Sequence, residues 1–141
     1  MKPFRTPVPR RAALRAALVA AALALAGCAG LQPLTTEQIV GQRAEARWDE
    51  LIKGDFEQAW AYTQPGFRAI VKSGDYRKRF GSGQWLGAQI HQVKCQAERC
   101  TVSVRLTSRI LAPKFAGQDI VGYVEETWVR EDGQWWYYQA L

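Results

Sequence analysis

The hydrophobic pattern of this chain changes period once, and that change constrains the fold more than any other feature. From Leu34 to Phe80, apolar residues recur at the spacing of an amphipathic helix, whereas from Leu86 they alternate with polar residues as in strands. Helices followed by antiparallel strands predict an α+β domain with the helices packed on the sheet. We expect one domain, because 141 residues match a single domain of ordinary size.

The helical half carries start and stop signals. Thr35 can cap a first helix with Gln38 closing the capping box, and Gly54 can end that helix. Asp55 can start a second helix, and Pro65 interrupts the pattern before a third, broken segment. The sequence therefore predicts three helical segments ahead of the sheet.

The second half predicts a four-stranded antiparallel meander. The expected strands are Leu86–Cys95, Cys100–Leu111, Ile120–Arg130 and Gln134–Leu141. A two-residue turn at Asp132-Gly133 joins the last two strands. That turn places Trp128 opposite Tyr137, and it also places Glu126 opposite Gln139.

The N-terminal segment has the pattern of a bacterial export signal. A basic start precedes the apolar run Ala16–Ala26, whose helical length of about 16 Å is too short for a ~30 Å hydrocarbon core. Leu25-Ala26-Gly27-Cys28 resembles the lipobox of bacterial lipoproteins. This resemblance implies cleavage before Cys28, diacylglycerol on its thiol and acylation of the new amino group. An ordinary cleaved signal and twin-arginine export through Arg10-Arg11 are the alternatives.

The lipobox resemblance also predicts domain boundaries and location. It divides the chain into a signal peptide (1–27), a lipidated cysteine with its tether (28–34) and an α+β domain (35–141). Ala29 stands where aspartate would favour retention in the inner membrane, so the resemblance implies an outer-membrane anchor facing the periplasm. Several acyl chains together give stable anchoring.

The net charge of +6 belongs to the leader. Five of the 19 basic residues precede Gly27 with no acidic residue among them, so the remainder carries 14 basic against 13 acidic residues. A nearly neutral domain argues against a nucleic-acid partner.

Cys95 and Cys100 are the cysteines that remain once Cys28 carries lipid. Cysteines outside the cytoplasm usually pair, and a hairpin between the first two strands places these two opposite each other. We expect a structural disulfide. A redox-active pair usually has the tighter Cys-x-x-Cys spacing, and a zinc site needs more ligands than the one histidine, His91, supplies.

The order of helices and strands resembles the NTF2-like superfamily, which includes SnoaL-like domains. The segments that carry the likeness are Gly54–Trp60, Pro65–Phe67, Glu126–Trp128 and Asp132–Trp135. The resemblance covers Thr35–Leu141 and implies a strongly bent sheet that wraps the helices into a cone. A small α+β sandwich of another topology is the structural alternative.

A bent sheet facing helices forms a cavity, which is the usual place for a ligand. The candidate pocket residues on one sheet face are Trp128, Trp135, Tyr137 and Gln139. Glu126 shares that face, and with His91 it would form an acid–base pair. A bulge after Ile90 would instead turn His91 outward.

From these features we expect a non-enzymatic envelope lipoprotein that binds a partner protein or a small apolar ligand. Its membrane contact is the lipid on Cys28, and no cofactor or metal is expected, because the chain lacks the usual catalytic and phosphate-binding motifs. The alternative is a small pocket enzyme that uses Glu126 and His91 as acid and base. A domain that only reinforces a larger complex predicts an exposed apolar patch and an interior filled by its own side chains.

Overall fold

The fold places helices before an antiparallel sheet, as the sequence predicts. The computed structural model describes residues 32–80, 84–110, 114 and 117–141. The helices are α1 (Thr36–Lys53), α2 (Phe56–Ala61), α3 (Pro65–Ile70) and α4 (Ser73–Tyr76), followed by a 3-10 turn at Arg77–Arg79. The strands are β1 (Trp85–Gln96), β2 (Arg99–Arg109), β3 (Asp119–Glu131) and β4 (Gln134–Tyr137). The expected signal peptide and Cys28 lie outside the described residues.

Helix α1 begins and ends where its capping residues predict. The Thr35 hydroxyl accepts from the Gln38 N–H at 3.3 Å, and the Gln38 side-chain oxygen accepts from the Thr35 N–H at 2.9 Å. Gly54, at φ 82°, ends the helix in the left-handed conformation that glycine adopts without strain. The buried stripe of α1 comprises Val40, Ala44, Arg47, Trp48 and Leu51. One arginine therefore occupies an otherwise apolar, core-facing stripe.

The four strands form an antiparallel sheet in the order β1-β2-β3-β4. Within the described residues the sheet is open, with β1 and β4 at its ends. Helix α1 packs on β1 and also reaches β2 and β4. The largest fully buried apolar side chains are Trp128, Tyr76, Phe67, Val40, Val102 and Val104. Each such side chain contributes about 1.5–3 kcal/mol through removal of its surface from water.

The β1–β2 hairpin has the predicted register at its tip. Cys95 lies opposite Cys100, and their sulfur atoms are at bonding distance. Further along β1 the register shifts between Ile90 and Gln92. Such a bulge leaves one extra residue, here His91, without a directly paired partner.

The β3–β4 hairpin confirms one predicted pair and corrects another. Trp128 lies opposite Tyr137 as expected. Strand β4 ends at Tyr137 rather than at Leu141, so Gln139 does not pair with Glu126. The Tyr137 backbone also forms a bridge to Thr63. The two residues are distant in the chain, so strand periodicity does not predict this contact.

None of the helices in the described part of the chain is long and apolar enough to span a membrane.

Candidate functional site

A buried ion pair joins the first helix to the third strand. Arg47 on α1 is 1% exposed, and Glu126 on β3 is 5% exposed. The Arg47 Nη1 donates to the Glu126 Oε1 at 2.6 Å. Taking two charges out of water costs several kcal/mol each, so such a pair persists only with close geometry and further hydrogen bonds.

Aromatic side chains supply those further contacts. The Trp128 Nε1 donates to the second carboxylate oxygen, Oε2, of Glu126 at 3.1 Å. The Arg47 Nη2 donates to the Tyr76 hydroxyl at 3.0 Å, and the guanidinium carbon lies 3.8 Å from the centre of the Tyr137 ring. Both Glu126 oxygens therefore already accept hydrogen bonds from protein donors.

The ionisation of Arg47, Tyr76 and Tyr137 follows from their burial and from the charges around them. Burial acts to lower the pKa of the Arg47 guanidinium, but attraction by Glu126, Tyr76 and Tyr137 leaves that pKa raised overall. Burial raises the pKa of the Tyr76 hydroxyl and of the Tyr137 hydroxyl, although Arg47 opposes both shifts. The two phenols stay protonated near neutral pH and surround a charged arginine.

The structure does not bring Glu126 and His91 together. His91 is exposed, and its ring lies 5.1 Å from that of Tyr123. Strand side chains alternate between faces, so Tyr123, three residues before Glu126, lies on the other face of the sheet. His91 therefore lies on the face opposite the carboxylate, as the bulge alternative predicts. The arrangement provides no acid–base pair.

The candidate pocket residues form core rather than an open cavity. Trp128 is fully buried and Trp135 is 6% exposed, while Tyr137 is half-buried against Arg47. Gln139 lies beyond β4, where its backbone N–H donates to the Gln64 side-chain oxygen at 3.1 Å. The space around Trp128 and Tyr137 is thus occupied by the protein's own side chains, whereas Trp135 also lines a pocket of about 250 Å³ between the start of α1 and the β3–β4 hairpin.

The first half of β3 is a second unusual feature of the domain, besides the buried ion pair. Its exposed apolar side chains are Ile120, Val121, Tyr123 and Val124, and the first three are at least half exposed. A pocket of about 110 Å³ opens there, lined mainly by Leu106, Ile120 and Val124. An exposed apolar cluster of this kind is typical of an interaction surface.

Sequence reasoning missed Arg47 as a site residue. Its position was a usable signal, because it falls within the same helical stripe as Ala44 and Leu51. An arginine on a core-facing stripe requires a buried acid. The identity of that acid, 79 positions along the chain, carries no local signal.

Within the described residues, no group of histidine, cysteine and acidic side chains could hold a metal ion. The elements together define an α+β domain with an open antiparallel sheet.

Comparison with known proteins supports the fold alone. No protein-family model matches the chain, and no curated protein matches it. A SEC-C motif-containing protein from Rhodopseudomonas palustris matches with a TM-score of 0.55 and 15% identity, over 69% of this chain and 73% of that chain. A SEC-C motif-containing protein from Psychrobacter arcticus matches with a TM-score of 0.57 and 10% identity, over 99% of this chain and 75% of that chain.

These neighbours correct the family prediction. They are SEC-C motif-containing proteins, a different fold family from the NTF2-like superfamily, so the NTF2-like and SnoaL-like prediction is wrong. The segments that suggested it, such as Gly54–Trp60 and Asp132–Trp135, contain a helix cap and a hairpin turn. Caps and turns of these types occur wherever helices precede a meander, so they do not distinguish one family from another.

Proposed function

We propose that this protein is a lipid-anchored envelope lipoprotein whose domain binds another protein through the exposed first half of β3. The proposal assigns the domain no catalytic activity. The observation that carries it is the contrast between the packed centre of the domain and the exposed apolar side chains on Ile120–Val124. Binding energy between proteins comes largely from burying such side chains at the centre of an interface.

The anchor is proposed on the basis of the sequence. Leu25-Ala26-Gly27-Cys28 supports attachment of the lipid to Cys28 after removal of residues 1–27. Ala29, in place of aspartate, supports a location on the periplasmic face of the outer membrane. The periplasm is oxidising, so in this proposal Cys95 and Cys100 form a disulfide that closes the β1–β2 hairpin. The tether before Thr35 spans at most about 25 Å when extended, which keeps the domain near the bilayer.

A partner protein is favoured over a small apolar ligand. A ligand at the buried pair would have to displace Trp128 or the Arg47–Glu126 pair itself. The pocket beside Trp135 includes the charged side chains of Arg43 and Arg130, which do not suit an apolar ligand. The enzyme alternative has less support, since His91 lies on the other face of the sheet. The apolar side chains of the first half of β3 are already exposed, which suits a partner that binds at the surface.

Site-specific photo-cross-linking of the full chain in cells tests this proposal. A photoreactive residue replaces Tyr123 in one variant and Glu57, an exposed residue of α2, in the control. We expect the Tyr123 variant to give one discrete adduct that mass spectrometry identifies as another envelope protein, whereas the Glu57 variant gives none. No adduct at Tyr123, or equal adducts at both positions, would refute the proposed binding surface.

A further inference from the structure

One edge of β3 has a neighbouring strand along only part of its length. Strand β2 pairs with β3 from Asp119 to Val129, but β4 pairs only with Trp128–Glu131. We call Asp119–Glu126 the β3 edge. In the part of the chain that the structure describes, no strand pairs with the β3 edge on the β4 side.

The hydrogen bonds at the end of β3 show which backbone groups point to that side. The Thr127 carbonyl accepts from the Tyr138 N–H on the β4 side, at 2.8 Å, whereas the Arg130 N–H donates to the Glu98 carbonyl on the β2 side, at 2.9 Å. In antiparallel sheets, alternate residues direct both backbone groups toward the same neighbour. The residues whose N–H and C=O point outward are therefore Asp119, Val121, Tyr123 and Glu125.

In the described residues, the apolar centre of the β3 edge lacks the features that usually protect exposed strand edges. Natural proteins block such edges with charged residues, above all lysine, or with proline, a bulge or a covering segment. The charged residues of the β3 edge, Asp119, Glu125 and the buried Glu126, lie at its two ends. The β3 edge contains no lysine or proline, and its register with β2 is unbroken. Its apolar residues from Ile120 to Val124 are exposed on both faces. This combination provides unpaired backbone groups next to apolar side chains that an added strand could cover.

The charges at the ends of the β3 edge favour one kind of strand. Glu125 is exposed, and Asp119 makes only a loose, exposed ion pair with Arg109 at 3.5 Å. Two copies of the chain could pair their β3 edges antiparallel, so that residues 120–124 of one copy lie opposite residues 120–124 of the other. Gly122 would then lie at the centre of the pairing. That register would set Asp119 opposite Glu125 twice, and like charges directly opposite are destabilising.

We infer that the β3 edge binds an extended strand of the partner protein, which has an apolar centre and basic residues at its ends. The strand would add to the sheet antiparallel or parallel to β3, with main-chain hydrogen bonds to Val121, Tyr123 and Glu125. Its basic residues would lie near Asp119 and Glu125. This inference rests on the proposed function, because it specifies how the partner is recognised.

Proline at an outward-facing position tests the main-chain bonding. Val121→Pro removes an edge N–H but leaves the bonds to β2, because the Val121 backbone points away from β2. Val121→Thr is the matched control, since threonine keeps the N–H and the branched side chain. The probe is a fluorescent peptide of alternating valine and threonine with a lysine at each end, titrated against the full chain in detergent micelles by anisotropy.

We expect the peptide to bind the unmodified chain and Val121→Thr alike, and Val121→Pro at least about tenfold more weakly. A peptide ending in glutamates should bind roughly fivefold more weakly than the lysine peptide at low salt. If Val121→Pro does not fold, Glu125→Lys replaces it, and this variant should abolish most of the preference for the lysine peptide, because the two ends of the β3 edge then carry opposite charges.

Three results would overturn the inference. They are equal binding to Val121→Pro, an unchanged preference in Glu125→Lys, and a dimer of the full chain in sedimentation that Val121→Pro dissociates. The cross-linking experiment at Tyr123 distinguishes a failure of this inference from a failure of the proposed function. A partner adduct without proline sensitivity contradicts only strand addition, whereas peptide binding without any partner adduct contradicts the proposed function.

Discussion

Arg47→Met is expected to lower the free energy of unfolding by about 3–5 kcal/mol. Methionine fills much of the volume of arginine, so the loss comes mainly from the charge that remains. Glu126 would keep a buried carboxylate that has lost its partner at 2.6 Å. Chemical denaturation followed by tryptophan fluorescence measures this change, since Trp128 lies against the pair.

The double variant Arg47→Met with Glu126→Gln controls for this effect. Glutamine removes the second charge and keeps an oxygen that can accept from the Trp128 Nε1. Because replacing both members of a buried pair is often close to neutral, the double variant should lie within about 1–2 kcal/mol of the unmodified chain. A single variant that is no less stable than the double variant would show that the charge pair does not matter for stability.

Cys28→Ser is expected to move the protein from the membrane fraction to the aqueous fraction. Each buried methylene of an acyl chain contributes about 0.8 kcal/mol to membrane binding, and serine removes the thiol that carries the diacylglycerol. Fractionation of cells in buffer without detergent measures the distribution, and the intact mass of the native chain reports the cut before Cys28.

The double variant Cys95→Ser with Cys100→Ser is the matched control for the anchor. It removes the other two cysteines of the chain and should stay in the membrane fraction. Membrane retention of Cys28→Ser after a salt wash would contradict lipid anchoring. An intact mass that includes Met1 would contradict it as well.

Local signals predicted much of the fold. The capping box of Thr35 and Gln38, the stop at Gly54 and the hairpin at Asp132-Gly133 involve residues close in sequence. The pairing of Cys95 with Cys100 is also local, because a short turn sets the register on both sides. Each of these features was predicted because its physical cause lies within a few residues.

Long-range contacts account for what the sequence did not predict. Strand β4 ends at Tyr137, which forms a bridge to the distant Thr63, and this early end leaves the β3 edge without a described neighbour. The partner of Arg47 is likewise set by the packing of α1 on the sheet rather than by any nearby residue. Hydrophobic periodicity identifies which face of an element is buried, but not which residue it meets.

The family prediction failed for a related reason. An order of helices and strands with generic caps and turns is shared by unrelated folds. The two SEC-C motif-containing structures are 15% and 10% identical to this chain, so their likeness rests on the arrangement of elements. That arrangement becomes visible only once the strands are paired.

Amide hydrogen exchange of the full chain tests most directly whether the β3 edge is the binding surface. Exchange of the Asp119–Glu126 segment is compared in native membranes and after extraction into detergent and purification. In membranes we predict slow exchange at Val121, Tyr123 and Glu125, whose N–H groups point outward, and fast exchange at these amides after purification. Exchange in this segment that is equally fast in both preparations would contradict the account.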